Sequence, residues 1–337
     1  MANVATLEPG DILLFTSDGS HVDRIICLLT ASDVAHSALF YGNDILGNDI
    51  LVDAATGCGI AGHLMRVLPR GQTAPSGKTS PSRGTWVQRE IYVRRLATSP
   101  LPIGVLQAAR VYVLENNGFN LMGLIAIGLH LLFRMDPRPD SVAELLVELL
   151  QMLTGELSGL IPRKPGTGTK GPHPMFCSQF VCQCFTDGGC TLQIRKGGPG
   201  LIPSTTLLDR IASNSISLGT LRAQAAKPRR LGHRTVDDIV ADLEKALSSD
   251  VEPRDKSAAA VSRTPSPDLI RATLEFGQAL QQVQEVRESI TLGTGLHFLR
   301  TLQDQYVTPA DLCYHCSSLT SIGKTYSIRL NEDSCPV

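Results

Sequence analysis

The sequence predicts an α+β fold, with short strands near the N-terminus and a later helix that carries a cysteine in its first turn and whose apolar stripe must face a core or a sheet. Three observations predict it. Short runs of strand formers near the N-terminus (ILLF at 12–15, AHSALFY at 35–41, LVDAA at 51–55) are separated by turn-like and polar segments. The stretch MFCSQFVCQCF at 175–185 places Cys177, Phe180, Val181, Cys184 and Phe185 on one helical face. Between these regions, 101–160 is dominated by apolar residues at helical spacing.

Composition sets the outer bounds. The chain has 337 residues, 42% of them hydrophobic, which is enough for one large or two ordinary domains. A formal charge of -1 gives no electrostatic bias toward nucleic acid, and no nucleic-acid partner is expected. Nine cysteines, an odd number without framework spacing, fit a reducing compartment. The opening MANVATLEPGD has neither a basic n-region nor an apolar h-region. The longest apolar run, 119–133, is broken by Asn120 and His130 and is short for a bilayer. A cytoplasmic protein as synthesised is the expectation, with export by a non-Sec route left open.

Taken in order, Pro9-Gly10-Asp11 reads as a turn into a buried strand at 12–15. A helix over 20–30 follows, with Ser20 as its cap and Val22, Ile25, Ile26 and Leu29 on one face. The runs 35–41 and 51–55 then pair as a hairpin about GNDILGND. A hairpin centred near Ile45 sets Asp53 across from 36–38, and one diagonal step across a ladder is ~7 Å, so His36 and Asp53 can interact on a shared face. Residues 70–84 have the composition of a surface loop, and 87–96 reads as a further strand. Helices are expected over 101–115, in the apolar run, and over 141–153, where Val142, Leu145, Leu146, Leu149 and Leu150 share a side. This leucine-rich pair is either a helical hairpin packed on the domain or a lid or groove for an acyl chain. A Pro-Gly loop at 162–174 leads into the cysteine helix.

Cys177 is the candidate nucleophile. A thiol in a first helical turn meets unpaired backbone N–H groups and the positive end of the helix dipole, which favour the reactive thiolate and could hold an oxyanion. A buried structural cysteine is the competing reading. A nucleophilic thiol needs a base in reach, and the base needs a third group to fix its tautomer, which nominates His36 and Asp53. The other histidines compete poorly: His21 and His63 fall in expected loops, His130 in the apolar helix, and His173 stands close in sequence to Cys177.

The order GDILLF, HSALFYG, LVDAATG, NNGFNLMG, FCSQFV, IPSTTLL resembles the circularly permuted, YiiX-like branch of the NlpC-type papain-like cysteine peptidases, over roughly residues 8–215. The resemblance implies a small β-sheet or barrel packed on the cysteine helix, His36 as base, Asp53 as orienter and Cys177 as nucleophile, without cofactor or metal. Asp53 stands where the branch often has Glu, and Phe119-Asn120 where relatives carry Tyr with Asp or Asn.

The catalytic domain is expected over 1–220, with a helical insertion at about 101–160. A helical C-terminal extension, 221–337, follows with a linker at about 248–267, a helix over 236–247 and a longer one over 269–290. Within it Cys313, His315 and Cys316 have a spacing that suits zinc or redox chemistry, though no nearby motif completes four ligands. The expected activity is hydrolysis of a peptide or isopeptide amide through a Cys acyl-enzyme, on a peptide or peptidoglycan substrate. Ester or thioester chemistry on an acyl lipid, of the lecithin:retinol acyltransferase kind, is the second reading. The third is a scaffold whose extension binds a protein partner.

Overall fold

The computed structural model describes residues 7–45, 47, 49–55, 59–68, 86–97, 103–114, 122–134, 140–160, 175–195, 206–214, 234–249, 264–285 and 292–331. The expected loops at 70–84 and 162–174, the Phe119-Asn120 pair, His173 and most of the linker at 248–267 lie outside them. Among the described residues no helix is long and apolar enough to cross a membrane.

The chain is α+β, built on a closed antiparallel barrel. Its strands are β1 (Ile12–Thr16), β2 (Val34–Asn43), β3 (Asp49–Ala55), β4 (Gly59–Leu68), β5 (Trp86–Leu96) and β6 (Leu319–Asn331), in the order β1-β2-β3-β4-β6-β5, with β5 returning to β1. Alternation along the strands sorts side chains to two faces. Leu13, Phe15, Ala38, Phe40, Leu51, Ile91 and Val93 form one small apolar cluster, the barrel interior, while Ile12, Leu14, Ala35, Leu39, Val52 and Ala54 turn outward into a larger core shared with helices. The β2–β3 hairpin has the expected register, Ala38 opposite Asp53, with a bulge at Phe40/Gly42. Asp11 is buried at the mouth of β1, where Arg95 grips its two oxygens at 2.7 and 2.8 Å and ties β1 to β5.

Helix α1 (His21–Thr30) starts as expected at Ser20, whose hydroxyl accepts from the Asp23 N–H. Helices α2 (Ile103–Leu114), α3 (Met122–Arg134) and α4 (Asp140–Leu160) follow β5, and α5 (Cys177–Asp187) carries the cysteine stripe. All five stripe residues of α5 are buried. The helix ends in a Schellman motif, Cys190 N–H to Phe185 O and Gly189 N–H to Thr186 O, with Gly189 at φ +83° as the left-handed residue. Gly188 and Gly104 bring α2 against this end: a Cβ on Gly188 would lie 2.5 Å from the Val105 nitrogen. Any larger residue there would push α5 off its seat.

Two expectations change. β4 was not anticipated, because GIAGHLMRVL spends two positions on glycine; His63 therefore lies on a strand, not in a loop, and His21 opens α1. The region after 221 is not a purely helical extension. After α6 (Leu207–Asn214) come α7 (Val236–Ser249), α8 (Pro267–Glu285), α9 (Leu292–Gln305), a π-helical turn at Asp311–His315, and then β6, which closes the barrel between β4 and β5. α8 packs on α4 and α7 on α1 and α4, and side chains of α7, α8 and α9 join the same apolar core as α3 and α5. The tail is part of the main fold because the barrel would otherwise leave two strand edges open.

Candidate active site

Strand β2 and helix α5 bring the site together. His36 points to the interior side of the barrel mouth, opposite Phe15, with ring centroids 5.7 Å apart. Its Nε2 lies 2.7 Å from Asp53 Oδ2. With Nε2 committed to Asp53, Nδ1 is the ring nitrogen left for Cys177, whose charge acts on His36. Cys177, His36 and Asp53, drawn from three separate elements, thus form one continuous chain of contacts. Ser37, next to the base and fully buried, is near enough to the Cys177 sulfur to favour its thiolate. Its hydroxyl has no hydrogen-bond partner among the described residues.

The electrostatics follow from these contacts. Burial alone would raise the Cys177 thiol, but the neighbouring His36 charge, with Ser37 behind it, brings it below the ordinary thiol value. Burial alone would lower His36; the Cys177 thiolate and the Asp53 hydrogen bond outweigh it and raise the imidazole to about 10. Burial opposes ionisation of Asp53 as well, and the hydrogen bond with His36 together with the His63 imidazole beside it holds it well below the usual carboxylate range. The three groups favour a thiolate–imidazolium pair beside an ionised carboxylate.

The start of α5 differs from the other described helix starts. Ser20, Thr206, Thr235, Ser266 and Thr308 each accept from an N–H three residues on, and in the three threonine cases an Asp returns the bond. α5 begins at Phe176, which has no cap side chain. The first intrahelical bond is Phe180 N–H to Phe176 O, so the N–H groups of Cys177, Ser178 and Gln179 have no intrahelical acceptor and stand beside the sulfur. Such a turn can receive an anion, including a carbonyl oxygen that gains charge. Ser178 Oγ donates to Val307 O at 2.7 Å, and Phe176 packs on Tyr306 with centroids 4.9 Å apart, so the tail braces this turn.

The remaining nominated groups have structural partners. His21 meets Glu244 of α7 at 2.5 Å, and His130, buried in α3, donates to Ala126 O at 2.8 Å beside the Tyr306 hydroxyl. Cys313 is buried in the π-helical turn, where Arg94 binds its carbonyl, and Cys316 bridges to Ile194. Among the described residues no three His, Cys, Asp or Glu side chains are placed to hold a metal ion. Sequence reasoning missed His63 and Ser37. A strand reading of 59–68 would have put His63 beside Asp53, whereas nothing in the sequence marks Ser37.

No protein-family model matches the chain, and no curated protein matches it.

Proposed function

We propose that the chain is a papain-like thiol hydrolase of the permuted NlpC type, acting on an amide carbonyl through an acyl-enzyme. The observation that carries this reading is the single run of contacts from Asp53 through His36 to a buried thiol in an uncapped helix start. In the reaction Cys177 gives its proton to His36 and the thiolate attacks the carbonyl carbon. The N–H groups of the first turn of α5 receive the oxyanion. Collapse expels the amine, which takes the proton from His36, and a water deprotonated by His36 then releases the acid and restores the thiol. Asp53 holds the imidazole in the tautomer that presents Nδ1 to the sulfur and steadies its charged form.

A thiolate attacks esters as well as amides, so an acyl lipid is the competing substrate. For an acyl-chain groove the leucine-rich insertion offers little: Leu146, Leu149, Leu150 and Leu153 of α4 and Leu131 and Leu132 of α3 are buried in the core. The test is acylation followed by intact mass. A p-nitrophenyl ester should leave one acyl group on Cys177, and peptidyl-coumarin amides should turn over, with Cys177→Ala inert to both. Ester turnover without amide turnover would favour the acyl-lipid reading. No adduct on Cys177 from either would leave a scaffold.

A further inference from the structure

Two imidazoles converge on Asp53, one for each carboxylate oxygen. His36 Nε2 takes Oδ2 at 2.7 Å, and His63 Nε2 lies 3.0 Å from Oδ1. The sheet explains the symmetry. Asp53 pairs with Ala38 on β2 and with Ala61 on β4, so His36 and His63 each stand one diagonal step away on flanking strands, on the face Asp53 uses. Asp53 and His63 are only 4% and 8% exposed. The His63 contact falls short of a straight hydrogen bond, but Oδ1 is buried and has no other hydrogen-bond partner among the described residues. A buried carboxylate keeps its charge only if its lone pairs are met, and His63 is the group in place to meet the second set. Of the two histidines, His36 is the one whose charge acts on the thiol.

We propose that His63 is a positioning residue of the thiol site: it holds Oδ1 of Asp53, which keeps Oδ2 on His36 Nε2 and keeps the carboxylate ionised. It acts on Cys177 through two intervening groups and touches no substrate. The inference rests on the reading of Cys177 as nucleophile. It also requires that His63 carry a proton on Nε2, because a bare Nε2 would set two lone pairs against each other. The charged groups in this line of contacts are Asp53 for His63, the two imidazoles for Asp53, and His36 for Cys177.

The experiment is the pH profile of Cys177 alkylation by iodoacetamide in the full chain, read by mass spectrometry, with thermal midpoints measured alongside. His63→Phe fills the space without a donor, and His63→Gln restores an N–H at similar reach. His63→Phe should move the acid limb of the profile up by about one pH unit, a tenfold loss of rate below it, while His63→Gln stays within about threefold of the wild type. A depressed limb in the wild type that His63→Phe leaves unmoved, even with a lower thermal midpoint, overturns this inference alone. An ordinary thiol limb in the wild type overturns the hydrolase reading and this inference with it. Should His63→Phe fail to fold, histidine 15N spectra of the wild type decide: Nε2-protonated His63 is expected, and an Nδ1–H tautomer with bare Nε2 overturns the proposal.

Discussion

Cys177 and Cys184 lie two turns apart on the same face of α5, and both are buried, yet their thiols are pushed in opposite directions. Cys184 is raised by burial, with Asp187 and Cys182 adding to it, and Cys182, Cys313 and Cys27 are raised by burial too, Cys27 to about 11. Cys177 pays the same desolvation and is still lowered, since it faces His36 and Ser37. One helix therefore holds a structural thiol and a reactive one. What separates them is one strand: β2 presents His36 and Ser37 to the first turn, while Cys184 sits among the apolar side chains of the shared core. The caps sharpen the contrast, because Phe176 brings no side-chain acceptor to the N–H groups that a serine or threonine would occupy.

The largest expected effect comes from removing the partner that makes Cys177 different. His36→Ala should turn Cys177 into a buried thiol like Cys184 and slow its alkylation at neutral pH by about a hundredfold or more, the scale of a lost acid–base partner. Alkylation kinetics check it, with circular dichroism to verify folding. A smaller loss, about tenfold, is expected for Asp53→Asn, which keeps shape but removes the charge that favours imidazolium; tenfold corresponds to about 1.4 kcal/mol of lost interaction. If Asp53→Asn lowers the thermal midpoint and leaves alkylation unchanged, Asp53 only braces its strand. The smallest effect belongs to the other side of the comparison. Cys184→Ala should cost about 1 kcal/mol of stability by chemical denaturation and leave the Cys177 rate as it was.

Much of this site was legible because its geometry is local. The hairpin places Asp53 opposite Ala38 through a turn of a few residues, so counting along the strands was enough to bring His36 and Asp53 together. The stripe on α5 and the prolines before it marked Cys177 as an early helical residue in the same way. The illegible parts depend on distant pairing. β6, LTSIGKTYSIRLN, carries strand formers but no clean alternation, and its partners β4 and β5 come from the first third of the chain. A composition break at 221 therefore looked like the start of a separate module although Ile322 packs on the barrel interior. His63 was lost with β4, whose glycines masked the strand.

The most direct measurement of the central claim sets the cysteines side by side in one protein: limited iodoacetamide labelling across pH, with site-resolved rates. The sign follows from the shifts. Cys177 falls below the ordinary thiol value and His36 rises to about 10, so the thiolate–imidazolium pair spans the range from below the usual thiol pKa up to about 10. Cys177 should label first at pH 6–7, where free thiols with a pKa of about 8.5 are mostly protonated, its acid limb should lie below that of a free thiol, and the rate should change again where His36 begins to lose its proton near pH 10. Cys182, Cys184 and Cys313 should stay slow throughout that range in the folded protein. Faster labelling of any of those three, or a Cys177 rate that climbs through pH 8–9 like a free thiol, would contradict the assignment of Cys177 as the activated nucleophile.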